Sequence, residues 1–377
     1  MNIPLEKFDG WLNDAGPAAL VIREHLMPVE GHDGVVFPAT FAAEQGTGPD
    51  RFPGGYNIDG LVDGENVCLI DTVGSQANRI EPIFAKGAYS GLVPQVVVKA
   101  GERRVNLLVE AGHRAGDAIV RCSALQQQLK DAFKAVQKGD GGPLAKIAPT
   151  SLVFGVWDSR DTQAKLPRLI ASTIRAFDVR RLTRSAQYVP AVEYVNHGLL
   201  DEPADKKTKD TYAERGFVHV PASASHGGVI ATGGIRRDAT LHLAALRLLT
   251  AGDAEPKTLV LRRYILGLAL TAFTYSPAGY LRQGCNLVRD PNPKTAHEFK
   301  EVYNDGRRED ATLKHDEALA YARLAAKAFG IDPDRKIEFG KGPDREVQFD
   351  KELAKKDVSG DDTGDGSKPL RKSKKAK

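Results

Sequence analysis

Apolar positions in this chain fall into short runs between glycine and proline clusters, with spacings that alternate between helical and strand-like periods. Leu5, Phe8, Trp11 and Leu12 stand at helical spacing and predict an amphipathic lead-in over residues 1–27, within an N-terminal segment 1–34. Val35, Val36 and Phe37 form a strand candidate, and Asn66 to Asp71 reads as a buried strand. That strand runs through Thr72, Val73, Gly74 and Ser75 into a helix from about Gln76 to Gly87. Residues 95–99 and 104–109 flank a turn and predict a hairpin, followed by a helix over 122–136.

Ser151 to Trp157 is an apolar, strand-like run, and Leu166, Leu169, Ile170, Ile174 and Phe177 then suggest one helix face. Residues 194–215 are polar and read as a mobile excursion before a strand at 218–221. Helices are expected over 238–250, 258–273 and 312–329, the last stopped by Gly330. From about Asp350 low complexity predicts a disordered charged tail, 350–377. Strands and helices mix without a regular alternation, which points to the α+β class.

Charge changes the picture only locally. The formal net charge is +4, but residues 351–377 hold nine Lys/Arg and five Asp/Glu, so the preceding 350 residues are neutral. A basic surface must therefore arise from patterning, not from a global excess. Between Asp158 and Arg184 there are seven basic residues against three acidic ones, and between Val229 and Arg289 eight against three. The three cysteines lie far apart and suggest neither a disulfide framework nor a zinc cluster. With no signal-like N-terminus and no long apolar span, a soluble cytoplasmic protein is expected.

Three constellations carry candidate chemistry, all of it anion binding. A strand, a glycine turn and a polar helix start bring Ser75, Gln76, Asn78 and Arg79 to a place where free backbone amides suit a phosphate. Plain capping by Ser75 is the structural alternative. The second constellation is Arg160, Lys165, Arg168, Arg175 and Arg184, flanking an apolar stripe. The third is Gly233, Gly234, Arg236 and Arg237, with Tyr280, Arg282 and Gln283 offering an aromatic beside basic and amide groups. A turn explains the glycines equally well. The nine histidines form no metal-binding pair, and neither a nucleophile elbow nor a nucleotide-hydrolysis loop occurs, so neither metal nor cofactor is expected.

The stretches LIDTVGSQANRIE (69–81), SLVFGVWDSRDTQAKLPRLIASTIRAFDVRRLTRSAQY (151–188), GGVIATGGIRRDATLHLAALRLL (227–249) and YLRQGCNL (280–287) together resemble one family. It is the RAMP-superfamily backbone subunit of the type I-G (formerly I-U) CRISPR effector complex. The resemblance implies a ferredoxin-like, RRM-type core over 35–290 with large insertions, including a thumb at 194–226 or, less favoured, 95–109. A helical extension, 291–349, follows it. It implies a non-catalytic subunit that polymerises along CRISPR RNA beside Cas5/Cas6-type and large subunits, facing double-stranded DNA targets. Ser75, Gln76, Asn78 and Arg79 would meet RNA phosphates, with Lys165, Arg168 and Arg184 lining the same groove. The alternative is a metal-dependent endoribonuclease, for which Asp71, Asp158 and Asp161 are the candidate carboxylates.

Overall fold

The computed structural model describes residues 3–46, 48, 51–276, 279–292 and 297–359. In chain order its strands longer than two residues are β1 (Ala19–Pro28), β2 (Ile58–Gly60), β3 (Asn66–Asp71), β4 (Val96–Ala100) and β5 (Arg103–Asn106). Then come β6 (Ile170–Phe177), β7 (Val179–Tyr188), β8 (Val220–Ala231), β9 (Ile235–His242) and β10 (Tyr280–Arg282). The last are β11 (Cys285–Arg289), β12 (His297–Val302), β13 (Arg308–Asp310) and β14 (Arg345–Gln348). The helices of eight residues or more are α1 (Val73–Ile80), α2 (Gln126–Gln137), α3 (Lys206–Glu214), α4 (Glu255–Thr274), α5 (His315–Phe329) and α6 (Lys351–Ser359). The chain is a mixed α+β protein.

Its main sheet runs in the order β10-β11-β1-β9-β6-β3-β2, with β12 also paired to β1 and β13 to β12. Every pairing in it is antiparallel. One face is apolar: Leu20, Ile22, Ile170, Ala239 and Leu241 pack with Leu261, Ile265 and Leu268 of α4 and Tyr321 and Ala322 of α5. Burial of this kind contributes about 1.5–3 kcal/mol for each large aliphatic side chain. The other face carries the alternate residues, among them Arg23, Arg175, Arg236 and Asp238, and is half exposed.

Several sequence expectations need correction. The helical lead-in contains one 3-10 turn, Asp9–Leu12, and then the central strand β1, in which buried Leu20, Ile22 and Glu24 alternate with half-exposed neighbours. The strand expected at 151–157 is mostly the helix Thr150–Phe154, because a run buried on every side has no periodicity to read. The helix face expected over 166–177 is β6, in which Ile170, Ser172, Ile174 and Ala176 point to the core by alternation. Likewise 238–250 begins in β9 and turns helical only at Leu243–Arg247. The strand at 35–37 is reduced to a single bridge, Val36 to Val229.

The polar stretch 194–215 is not featureless. It holds α3, capped by Asp205, whose side chain accepts the Thr208 amide at 2.7 Å. Tyr194, Tyr212 and Phe217 cluster beside it with ring centroids 5.1 and 6.0 Å apart. It connects β7 and β8, a long two-stranded ribbon with a largely exposed β7. Residues 95–109, the other thumb candidate, instead form β4, β5 and the start of a short helix, Leu107–Glu110, and Val96 and Val98 of β4 and Leu107 of that helix lie in the core. Within 350–377, residues 351–359 form α6, and 360–377 lie outside the described residues. The other elements agree with expectation: β3 over Asn66–Asp71, the hairpin of β4 and β5, α4, and α5 with Gly330 left-handed at its end.

No helix among the described residues is long and apolar enough to cross a membrane. All three cysteines are free and buried. Burial pushes the Cys68 thiol up to about 12 and that of Cys285 up to about 11. Both therefore stay protonated at neutral pH, where the thiol is a poor nucleophile. Native protein at pH 7.5 should resist iodoacetamide at both positions, and unfolding in guanidinium should make both react. Mass spectrometry of the alkylated peptides checks this, and rapid labelling of the native chain would contradict it.

Candidate nucleic-acid interface

The site begins where β3 ends. Thr72 caps α1: its Oγ1 accepts the Ser75 amide at 3.0 Å, and its carbonyl accepts the Gln76 amide at 2.9 Å. Thr72, not Ser75, is thus the cap residue. The Val73 and Gly74 amides have no acceptor among the described residues and remain as outward donors at the positive end of the helix. Arg168 donates through Nε to the Phe154 carbonyl at 3.1 Å, which fixes its guanidinium close to the helix start. A Cβ on Gly74 would stand 3.8 Å from an Arg168 guanidinium nitrogen.

Asp71, the last residue of β3, is buried and organises the basic groups around it. Its Oδ2 accepts Gln76 Nε2 at 2.6 Å and Arg79 Nε at 3.1 Å, and its Oδ1 accepts Arg282 Nη2 at 2.9 Å. One carboxylate therefore holds two guanidinium groups side by side, with one positive charge left over. Arg282 reaches on to the Phe37 carbonyl at 3.5 Å, and the Arg184 guanidinium lies over the Phe37 ring, 5.8 Å from its centroid. Phe37 fits because Gly284, at φ +73°, has no Cβ; one would come within 2.6 Å of the ring. Positions 37, 71, 79, 184 and 282, far apart in sequence, thus meet at one place.

Beneath α1 lies a pair that sequence reading missed. Glu81 and Arg114 form an ion pair at 2.7 Å, with both side chains about 5% exposed. Burial pushes the Glu81 carboxyl up and the Arg114 guanidinium down, each opposed by the charge of the other. Arg114 also lies over the Phe154 ring at 5.3 Å and donates to the Gly155 carbonyl at 3.3 Å. Gly155, at φ +77°, lets Arg168 pass: a Cβ there would sit 2.8 Å from Arg168 Cγ. The pair therefore ties the end of α1 to the Gly155 turn, against which Arg168 packs.

The predicted site residues separate into distinct places. Ser75, Arg79, Arg168, Arg184 and Arg282 gather around the start of α1 and the root of the ribbon, while exposed Asn78 lies in the second half of α1, beside Gly112. Lys165 and Arg160 are exposed on a small hairpin pairing Val156–Trp157 with Lys165–Leu166, next to Arg168. Gln283 is exposed in the turn between β10 and β11.

Gln76 is buried and used internally, donating to Asp71 and accepting from Ser172 at 3.0 Å, so it positions rather than contacts. Gly233 and Gly234 make the turn into β9, where alternation sends Arg236 and Arg237 to opposite faces. Arg237 is buried against Glu24 at 2.5 Å, a correction to its expected surface role. Burial alone would raise the Glu24 carboxyl, but a hydrogen bond with His297 and the charges of Arg237 and Arg289 hold it well below the ordinary range. Arg236, over Phe177 at 4.7 Å, and Arg175, bonded to Thr173 at 2.7 Å, occupy the open sheet face away from α1.

The candidate cleavage carboxylates are all engaged. Asp71 is held as described, Asp158 Oδ2 accepts the Thr162 amide and hydroxyl at 2.8 and 2.6 Å, and Asp161 pairs with Lys130 at 2.8 Å. No cluster of three or more metal-ligating side chains occurs among the described residues.

The fold and site together define a mixed α+β protein with a basic surface around an open helix N-terminus and a projecting ribbon. Residues 20–181 match the family model of CRISPR-associated protein GSU0053, a CRISPR-associated protein family, and the match supports a CRISPR-related role. The matched stretch runs from β1 into β7 and includes Asp71, Arg79, Arg114 and Arg168. No curated protein matches the chain.

Proposed function

We propose that this protein is the RNA-binding backbone subunit of a type I-G CRISPR effector complex, with copies polymerising along the guide RNA and presenting it to target DNA. The observation that carries this reading is the convergence of Arg79, Arg168, Arg184 and Arg282 on the open start of α1. These groups recognise backbone phosphates and read no base, as expected where sequence recognition is left to base pairing. Engagement of Asp71, Asp158 and Asp161 by neighbouring donors favours holding RNA over cutting it.

The topology supports a ferredoxin-like core. The chain visits β1, then α1, then β6, β9, α4 and β12, and these four strands lie side by side in the order β12-β1-β9-β6. That is the antiparallel βαββαβ path, with β3 added at the edge beyond β6. The first strand of this core is β1, so the core begins earlier than residue 35. The ribbon of β7 and β8, with exposed Arg180 and Arg181 on β7, is the natural thumb and extends the 194–226 segment on both sides. The same reading gives the protein its partners: further copies of itself, Cas5/Cas6-type and large subunits, and a double-stranded DNA target.

A fluorescence-anisotropy titration with single-stranded RNA long enough for several copies tests the proposal. Binding should be cooperative, leave the RNA intact, and weaken with salt by about 0.7 log units per tenfold for every phosphate neutralised. Binding that is indifferent to salt, or that prefers duplex DNA over RNA, would argue against it.

A further inference from the structure

Trp157 is 58% exposed, an unusual place for the largest apolar side chain in a protein with only two tryptophans. It is also held still. Trp157 pairs with Lys165 across the small hairpin, and the Asp158 amide donates to the Ala164 carbonyl at 2.9 Å. Asp158 closes the loop through its two bonds from Thr162, and Gln137 donates to the Thr162 carbonyl at 2.9 Å. The indole therefore stands on a fixed platform, with Lys165 Nζ 5.6 Å from its ring. Exposed Arg160 lies in the loop, and Arg168 packs on Gly155, two residues before the indole.

We propose that the indole of Trp157 stacks on a base of single-stranded RNA whose phosphates lie on Lys165 and Arg168. The inference rests on the RNA-binding reading above and adds a contact of a different kind. A rigid aromatic flanked by cations offers a π-face to a base and charge to its backbone, a combination that suits an unpaired strand of any sequence. A duplex hides its base faces and has no use for the indole.

The test follows indole emission and the anisotropy of labelled RNA in the same titration of the intact protein with oligouridylate. Stacking should quench emission along the anisotropy curve. The quench should vanish in Trp157→Phe, which leaves Trp11, half buried and hydrogen-bonded to Glu301 at 3.1 Å, as the sole indole. An abasic ribose-phosphate oligomer should bind without quenching. Trp157→Ala should weaken RNA binding about fivefold or more while leaving the salt slope unchanged, because no charge is removed. RNA binding with unaltered emission, or Trp157→Ala binding as tightly as the parent, overturns the stacking contact and leaves the RNA-binding reading standing. Absence of any anisotropy change overturns both.

Discussion

Replacing Glu81 by alanine should cost the fold about 3–5 kcal/mol, because Arg114 would be left charged and almost sealed from water. For a chain of this size that corresponds to a fall in Tm of about 4–6 °C. Arg114→Ala should cost a similar amount for the mirror reason. The pair Glu81→Leu with Arg114→Met should recover most of the loss, since apolar side chains of similar volume need no partner. Thermal denaturation followed by circular dichroism measures all three. A loss below about 1 kcal/mol for either single variant would mean that water reaches the pair and the burial argument fails. The consequence extends to the surface, because Arg114 bonds the Gly155 carbonyl and Gly155 seats Arg168. Glu81→Ala protein that is still folded should therefore bind RNA less tightly, without losing any residue that touches it.

Neither Glu81 nor Arg114 stands out in the sequence, and the reason is physical. Each is an ordinary charged residue in a polar stretch, and only tertiary packing closes water off from both. The same limit explains the strand and helix errors. Residues 150–156 are buried on all sides, so their hydrophobicity has no period to betray a helix. Ile170, Ile174 and Phe177 fit a helical stripe, yet only Ile170 and Ile174 face the core; Phe177 lies under Arg236 on the opposite face. In α3 no residue is buried, so the helix has no apolar face to read.

What was legible was local. Asn66–Asp71 is a short apolar run that ends at a polar helix start, α4 is long and apolar, and α5 stops at a glycine. The open helix start was legible for the same reason, since a strand, a turn and a helix start are neighbours in sequence. The junction of Arg79 with Arg282 through Asp71 was not, because the partners are 203 positions apart and meet only when β10 closes against the helix. Alternation along β9 separates Arg236 from Arg237, but seeing it requires knowing that the segment is a strand and not a helix.

The combined variant Arg160→Ala, Lys165→Ala, Arg168→Ala should lower RNA affinity about 100-fold at 0.1 M salt and make the log–log salt slope shallower by about 2. Both figures follow from three lost phosphate contacts at about 0.7 each for a single strand, extrapolated from 1 M salt, where counterion release no longer contributes. The loss should be the same for RNAs of any sequence, since phosphate contacts carry no base information. Arg160 and Lys165 are exposed, while Arg168 gives up its hydrogen bond to the Phe154 carbonyl, so stability should fall by no more than about 3 kcal/mol, which a urea midpoint can verify. Arg79→Ala is a poorer probe, because it also strips a partner from buried Asp71 and confuses binding with folding. The informative comparison is Arg175→Ala with Arg236→Ala on the open face of the sheet. If RNA follows the α1 side, that double variant binds normally and keeps the full salt slope. If it loses as much as the triple variant, RNA crosses both faces. A triple variant with unchanged affinity and slope would remove the hairpin from the interface altogether.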